Sequence, residues 1–319
     1  MAPLVEPSVD TSREADDIKP QKESYPFEPH WHHIIVMLSI HVMGLYGLVF
    51  LTKAKLATLV FAALLHVVGA IGITAGAHRL WAHRSYKATL PLRLLLVSFQ
   101  SMTPQNSVIW WCLTHRRHHK NSDTDADPHN IHRGFFFAHL GWLLLKKHPD
   151  VTLKGRTVDV SDLWNDPVLA FQNRHYAAMV LVFCFAIPTV IPWYFWDEAI
   201  LNAFFVAGNL RLLITFHAAC LVNSAAHTFG YKPYDRSIPP GDVWSLSYLT
   251  LGESWHNYHH SFPWDYKASE YGRYSTNLAA AFIDLMARIG WAYDLRSASP
   301  AVIESRMNKS GDVALRRRY

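Results

Sequence analysis

The sequence predicts an all-α integral membrane protein with four transmembrane helices in two hairpins and a cytosolic helical cap. Half of its 319 residues are hydrophobic and only 17% are charged, and the apolar residues are concentrated in four long runs. The chain also has 20 histidines, many of them clustered beyond the ends of those runs. This composition excludes a disordered chain and argues against an ordinary soluble enzyme. The three cysteines, Cys112, Cys184 and Cys220, lie in apolar surroundings, which argues against a disulfide framework and a cysteine-based zinc site.

The four apolar runs have the length of membrane-spanning helices. Each is 18 to 23 residues long, and about 20 residues of helix cross a hydrocarbon core. The only charged residue in them is Arg211, in the fourth run. Short turns join the first run to the second and the third to the fourth, which predicts two hairpins. The predicted spans are residues 34–51, 56–75, 177–196 and 200–222.

The distribution of basic residues predicts the orientation. Lysines and arginines are concentrated in residues 79–175 and 223–319, whereas the two turns contain only Lys53 and Lys55. The positive-inside rule therefore puts both termini and the central segment in the cytosol. The polar N-terminal region shows no cleavable signal peptide, so the first span is expected to act as a signal anchor. The net charge of +5 suits anionic lipid headgroups or a phosphorylated substrate, and no nucleic-acid motif is present.

The predicted domain boundaries follow from these patterns. Residues 1–24 are expected to be disordered, residues 25–300 to form the membrane domain, and residues 301–319 to be a basic, poorly ordered tail. A further uncharged run, residues 94–113, contains Pro104, Gln105 and Asn106. Because proline and asparagine interrupt helices, this run is predicted to be a helix, a break and a second helix lying at the cytosolic membrane surface.

Nine histidines fall into four groups that two hairpins would bring to the same side of the membrane. Two groups have the spacing HxxHH, in which all three side chains project from one helical face. The nine residues are His78, His83, His115, His118, His119, His227, His256, His259 and His260.

Nine neutral imidazoles could complete the coordination of two metal ions. Imidazole suits iron, copper, zinc or nickel. A site without cysteine or an obvious carboxylate ligand is a poor zinc signature, whereas two redox-active irons can activate O2 and abstract hydrogen from an unactivated C–H bond. Asn223, one helical turn before His227, could hold a metal-bound water. The acidic residues near the clusters could orient the imidazoles or simply be solvated, and both interpretations stay open; they are Asp123, Asp125, Asp127 and Glu253.

Three further motifs, together with the histidine clusters, closely resemble the membrane acyl-CoA desaturases of animals, with an insect-like cast. They are GITAGAHRLWAH at residues 72–83, DADPHN at 125–130 and NSAAH at 223–227, and the resemblance covers roughly residues 25–300. It implies that the nine histidines bind two Fe2+ ions, with Asn223 acting through water. It further implies an endoplasmic reticulum enzyme that uses O2 and two electrons from cytochrome b5 to desaturate a fatty acyl-CoA. No His-Pro-Gly-Gly haem motif is present, so cytochrome b5, with its NADH-dependent reductase, is expected to be a separate partner.

The resemblance also implies residues that bind the substrate. Lys146 and Lys147 match positions near the CoA phosphates, and Asn106 and Trp142 match other head-group contacts. At the bend of the acyl tunnel, Gln105 and Trp111 match the family. The chain departs from the family at the same bend, at Ala219 and Cys220, and at the tunnel floor, at His66, with Ala70 one turn later.

Two departures carry consequences. Cys220 replaces a tryptophan, so the channel is expected to be wider at the bend. This predicts altered regio- or stereospecificity, such as a Δ11 or other pheromone-type product in place of the Δ9 cis product. Leu113 and Thr114 replace an Arg-Asp pair that contacts CoA in the family, which predicts weaker CoA binding.

Two other functions stay open. A membrane hydroxylase could use the same irons, because both reactions begin with hydrogen abstraction. A non-catalytic metal-binding membrane protein or transporter could also use histidine clusters. However, transporters tend to place ionisable residues within the spans, near the midplane, whereas these clusters lie outside the predicted spans.

Overall fold

The fold is mostly helical. The structure is a computed structural model that describes residues 27–270 and 273–312. The predicted disordered segment 1–24 and the last residues of the predicted tail lie outside the described residues. In chain order the helices are α1 Trp31–Phe50, α2 Leu56–Ala82, α3 Leu90–Ser101, α4 Val108–Asn121, α5 Phe137–Gly141, α6 Trp142–Leu144, α7 Pro149–Gly155, α8 Ser161–Trp164, α9 Pro167–Arg174, α10 Tyr176–Trp196, α11 Ile200–Thr228, α12 Ser247–Thr250, α13 His256–Ser261, α14 Leu278–Arg288 and α15 Pro300–Ser310.

The short elements add one small sheet and three turns of helix. Strands β1 (Lys87–Ala88) and β2 (Ala292–Tyr293) pair in antiparallel fashion, with Lys87 opposite Tyr293. Single 3-10 turns occur at Ile131–Arg133, Trp244–Leu246 and Tyr274–Thr276. Within the described part of the chain, every other regular element is a helix, as the sequence predicts.

Four helices, α1, α2, α10 and α11, are long and apolar enough to cross a membrane. They begin within three residues of the predicted spans, but α2 and α11 continue to Ala82 and Thr228, well past the predicted ends at 75 and 222. The predicted ends fall short because the apolar run stops before the helix stops in both α2 and α11. The extra turns carry polar side chains that are satisfied inside the protein, so they stay helical without being apolar.

The two longest helices form the centre of the bundle. In their most apolar windows, 44% of α2 and 67% of α11 is buried, against 17% each for α1 and α10. α2 contacts α3 at backbone distance, because a Cβ added to Gly72 would lie 2.2 Å from the backbone nitrogen of Gln100. Arg211, the one charge in a predicted span, is buried and donates to the carbonyls of Met102, Cys184 and Ala207. These carbonyls satisfy a guanidinium that would otherwise be costly inside an apolar helix.

The turn before α2 and the turn before α11 lie side by side. The buried Glu198 carboxylate accepts hydrogen bonds from the Lys55 backbone N–H (2.7 Å), the Thr58 hydroxyl (2.5 Å) and the Asn202 amide (2.9 Å). Both central helices therefore start at the same end of the bundle. Their final turns, which carry His78 and His227, lie at the opposite end.

The surface run and the C-terminal region give one confirmation and one correction. α3 and α4 are separated by residues 102–107, which confirms the predicted helix, break and helix. Asn106 in the break has a left-handed φ of 72°.

The expectation of poor order is wrong for the start of the tail, because residues 300–310 form α15. Its Ile303 side chain packs with the buried Tyr234, Tyr258 and Phe262, and this apolar contact orders the segment.

Candidate metal centre

The structure brings all nine predicted histidines together in two groups. In each group, one ring nitrogen per residue lies within 4.8 Å of every other. The first histidine group is His78, His83, His115, His119 and His259. The second histidine group is His118, His227, His256 and His260.

Helical spacing explains how the two HxxHH sequences are divided. On α4, His115 and His119 are four residues apart and enter the first group, whereas His118 enters the second. On α13 the division is reversed: His256 and His260 enter the second group and His259 the first. Side chains four apart lie in one row along a helix, and the third lies beside that row. Each helix therefore contributes to both groups.

His78 and His83 converge because α2 ends between them. Their spacing of five predicts a helix end or a bend. The last turns of α2, Gly72–Ala82, have π-type hydrogen bonding, and the His83 N–H donates to the His78 carbonyl at 3.0 Å. A wider π turn brings residues five apart onto one side of the helix. The predicted convergence is confirmed.

The imidazoles face one another through their Nε2 atoms. The separations are 3.0 Å for His78 and His259, 2.8 Å for His83 and His115, and 2.9 Å for His119 and His259. In the second group they are 2.9 Å for His227 and His256, 3.1 Å for His256 and His260, and 3.3 Å for His118 and His260. A set of converging imidazole nitrogens is the donor arrangement that a metal ion requires, so the residues present fit metal ions.

Burial keeps most of these imidazoles in the form that binds metal. Burial, followed by the neighbouring imidazoles, lowers the pKa well below its ordinary value in His83, His115, His119, His256, His259 and His260. A neutral imidazole has a free lone pair for a metal, whereas a protonated one has none.

Three buried carboxylates accept hydrogen bonds from the Nδ1 atoms of imidazoles in the two groups. Glu253 accepts from His78 Nδ1 at 2.8 Å, Asp127 from His118 Nδ1 at 2.7 Å, and Asp123 from His227 Nδ1 at 3.1 Å. With Nδ1 carrying the proton, Nε2 is left bare and directed into the group. The sequence left open whether the acidic residues orient imidazoles or are solvated, and these three carboxylates orient imidazoles. Asp125 is exposed and has no such contact in the described residues.

Two residues near the groups are not among the site residues that the sequence analysis names. Arg79 is fully buried and donates to Glu253 through both Nε and a terminal nitrogen, at 3.1 and 2.9 Å. Burial alone would raise the pKa of Glu253, but Arg79 and His78 lower it to about 2. His129 is also buried, within 4.8 Å of the nearest ligand atoms of His118 and Asp127. Its place in the DADPHN sequence could have indicated this proximity, whereas no spacing pattern singles out Arg79.

An apolar cavity adjoins the two groups. Its lining includes His78, His115, His118 and His256, together with five residues that the sequence analysis names: Ala70, Gln105, Trp111, Ala219 and Asn223. The Trp111 indole N–H donates to the Gln105 side-chain oxygen at 3.3 Å and thereby fixes one wall. Such a cavity can hold a hydrocarbon chain beside the histidines.

The other predicted substrate residues do not line this cavity. Cys220 is buried but lies outside the lining, and the predicted widening of the channel at the bend stays a prediction. His66 contacts the cavity wall indirectly, through a 2.9 Å hydrogen bond between its Nδ1 and the Thr215 hydroxyl. The predicted head-group residues, Asn106, Trp142, Lys146 and Lys147, also lie outside the lining. Lys146 forms an ion pair with Glu28 at 2.7 Å.

The fold and the site define a class: a membrane protein with a histidine-rich site, compatible with metal ions, at the end of an apolar cavity. The family model for fatty acid desaturases matches residues 54–293. The chain belongs to this family and is an oxidoreductase.

Curated relatives support this assignment across almost the whole chain. An acyl-CoA Delta-9 desaturase of Acheta domesticus is 49% identical over 300 residues, covering 93% of this chain and 83% of the relative. An acyl-CoA Delta(11) desaturase of Choristoneura rosaceana is 47% identical over 318 residues, covering 98% and 95%. A stearoyl-CoA desaturase of Homo sapiens is 48% identical over 311 residues, covering 93% and 86%.

Proposed function

We propose that this protein is an acyl-CoA desaturase that introduces a double bond into the chain of a fatty acyl-CoA, using O2 and two electrons from cytochrome b5. The observation that carries the proposal is the convergence of nine imidazoles at an apolar cavity. The names of the relatives support the acyl-CoA substrate, and they include both Delta-9 and Delta(11) activities. The double-bond position of this protein is therefore a matter for experiment.

The cofactor in this proposal is a pair of Fe2+ ions, one for each histidine group. The nine histidines are the proposed ligands, and Asn223 acts through a water. When bound, the irons supply the oxidising power of O2 for removal of hydrogen from a C–H bond. A donor set of nine nitrogens without a thiolate supports iron over structural zinc.

The residues of this chain position the substrate in the proposal. Ala70 and Ala219 leave room for the acyl chain, while Trp111 and Gln105 form a rigid wall beside it. The apolar lining excludes water and holds a pair of methylene groups next to His118, where the reaction takes place. His66 and Cys220 stay proposed as residues that shape the tunnel from outside its lining, and Asn106, Trp142, Lys146 and Lys147 keep their proposed role at the head group.

The proposed location is the endoplasmic reticulum membrane, with two helical hairpins and both termini in the cytosol. The basic residues of the central and C-terminal segments support this orientation. The adjacent turns at Lys55 and Glu198, at the end of the bundle opposite His78 and His227, support a common side for all nine histidines. Labelling of single cysteines at the exposed positions of Lys120 and Trp264 in sealed microsomes should find both accessible from the cytosolic side.

Product analysis tests the function. We would express the full chain in a desaturase-deficient yeast and locate new double bonds by mass spectrometry, with His259→Ala as the inactive control. Unsaturated acyl chains that disappear in the control support the proposal, and a Δ9 cis product alone would contradict altered specificity. Hydroxylated chains would identify the protein as a hydroxylase instead. Bound iron without O2 consumption on an acyl-CoA would indicate a non-catalytic protein.

A further inference from the structure

A buried glutamine on α9 contacts both helices that border the break at residues 102–107. The side chain of Gln172 is fully buried and lies outside the lining of the cavity. Its Oε1 accepts the Val108 N–H, the first of α4, at 2.9 Å. Its Nε2 donates to Gln100 Oε1 at 2.5 Å and to Ser101 Oγ at 3.2 Å, both at the end of α3. One side chain therefore joins α3 to α4 across the break.

Gln100 extends this contact to the break itself. It is also fully buried, and its Nε2 donates to the Asn106 carbonyl at 2.8 Å. The orientations of both amides are determined, because the Val108 N–H can only donate and the Asn106 carbonyl can only accept. A chain of hydrogen bonds therefore runs from Val108 through Gln172 and Gln100 to Asn106. It holds the backbone beside Gln105, including the left-handed φ of 72° at Asn106.

Gln105, in the wall of the cavity, has few contacts of its own. Its Oε1 accepts the Trp111 indole N–H at 3.3 Å, and its buried Nε2 has no hydrogen-bond partner among the described residues. An ordinary N–H···O bond is about 2.9 Å long, so this single longer bond does little to fix the side chain. The position of the wall therefore depends on the backbone at Gln105, which Gln100 and Gln172 hold from outside the cavity.

The same bonds fix the wall relative to the histidine groups. α4 begins at Val108 and carries three of the nine histidines. Because Gln172 bonds the first N–H of α4 as well as the end of α3, it fixes the start of α4 relative to the break that carries Gln105. The wall on one side and the imidazoles on the other determine which carbons of a chain lie at the reacting position.

A second hydrogen bond joins the break to α9. The Ser107 hydroxyl donates to Asn173 Oδ1 at 2.6 Å, and Asn173 follows Gln172 in the chain. The structure describes all of α9, and none of its residues belongs to a histidine group or lines the cavity. A change in α9 can therefore move the wall without removing a metal ligand.

We propose that Gln172 is a positioning residue that determines where along the acyl chain the double bond is introduced. The proposal rests on the acyl-CoA desaturase function proposed above, and Gln172 acts through the break without touching the substrate. Loss of its hydrogen bonds leaves the Val108 N–H and the Gln100 side-chain oxygen unsatisfied in a buried place. The break then adopts more than one arrangement, and carbons on either side of the usual pair reach the reacting position.

Product analysis of a matched set of variants tests the proposal. The full chain is expressed in the desaturase-deficient yeast, and the positional isomers at each chain length are quantified by mass spectrometry. The iron of the purified proteins is measured in parallel. Gln172→Met keeps the length of the side chain and removes its hydrogen bonds. We expect the fraction of minor positional isomers to rise about tenfold, which corresponds to one buried hydrogen bond, with the iron content unchanged.

Further variants separate positioning from general damage to the fold. In Gln172→Glu, burial favours the neutral carboxyl group, whose carbonyl oxygen and O–H replace the amide oxygen and N–H, so most of the wild-type isomer distribution should return. Arg174→Gln changes an exposed residue on the same helix, and as the matched control it should leave the distribution unchanged. If Gln172→Met does not fold, Ser107→Ala removes the bond to Asn173 and should raise the minor fraction about threefold.

The outcomes distinguish an error in the proposal from an error in the function. A folded Gln172→Met protein with the wild-type isomer distribution would overturn the proposal, whether or not it has lost iron. If the wild-type protein forms no unsaturated chains, hydrogen exchange of residues 102–111 is measured instead. Faster exchange there in Gln172→Met, with residues 256–261 unchanged, would show that Gln172 positions the wall although the proposed function fails. Unchanged exchange would overturn the positioning role as well.

Discussion

Replacement of Asp127 by asparagine tests whether the carboxylates behind the histidines control the metal centre. Asp127 is buried, and it accepts three hydrogen bonds: from His118 Nδ1 (2.7 Å), the Asp123 backbone N–H (2.7 Å) and the His129 backbone N–H (3.0 Å). Burial by itself would raise its pKa, but the adjacent His118 and His129 hold the pKa well below its ordinary value. The residue is therefore an ionised acceptor, and asparagine has nearly the same shape.

The hydrogen bonds give the size of the effect. One Asp127 oxygen accepts from His118 and Asp123, and the other accepts from His129, whereas asparagine has only one acceptor oxygen. Even when the asparagine oxygen takes the place of the oxygen that accepts from His118 and Asp123, the asparagine NH2 group points at the His129 N–H, and two donors then face each other. One unsatisfied buried donor costs about 1–3 kcal/mol of folding stability. Loss of the charged acceptor behind a metal ligand lowers metal affinity about 10–100-fold.

Iron retention is the direct assay. Purified wild-type, Asp127→Asn and Asp125→Asn proteins are dialysed against graded concentrations of a chelator, and their iron is measured by mass spectrometry. Asp125 is exposed in the same loop, so its variant should match the wild type. Asp127→Asn should lose iron at a chelator concentration about 10–100-fold lower. A folded Asp127→Asn protein with wild-type iron retention would refute the reasoning that this carboxylate orients His118.

Three further substitutions test the stability and shape of the site. Glu253→Gln removes the carboxylate that pairs with buried Arg79, so we expect thermal unfolding to show a loss of about 3–5 kcal/mol, and a loss below about 1 kcal/mol would contradict the pairing. Gly72→Ala places a Cβ against the backbone of α3, and gel-filtration yield should collapse, whereas Gly208→Ala, with one contact at 3.9 Å, should keep its yield. Ala70→Phe fills the cavity and should shift the products, measured by mass spectrometry, toward shorter acyl chains; an unchanged chain-length profile would place the acyl chain elsewhere.

The helical bundle could be predicted from hydrophobicity, but its boundaries could not. Apolar runs report where a helix meets lipid, and they placed the starts of all four long helices within three residues. The ends of α2 and α11 were missed because their last turns are buried by protein instead of lipid. Polar residues such as His78 and His227 are compatible with a buried helix end because Glu253 and Asp123 accept their hydrogen bonds.

The histidine site could be predicted because its spacing is local, and the surrounding contacts could not because they are long-range. HxxHH places three imidazoles on one helical face whatever the rest of the fold does. The pairing of Glu253 with Arg79, or of Asp123 with His227, joins residues more than 100 positions apart. No periodicity encodes such a pair. Similarly, the place of Cys220 outside the cavity depends on how α11 is rotated, which a single run of apolar residues leaves undetermined.

The division of the histidines makes the two groups one unit. α2 and the residue after it supply only the first group, and α11 supplies only the second, so each central helix anchors one group. α4 and α13 each contribute to both and lie across them. Displacement of either short helix therefore disturbs both groups at once, whereas displacement of one central helix disturbs one. This explains why so many buried polar contacts surround α4 and α13: these two short helices have to be held rigidly to keep both groups in place.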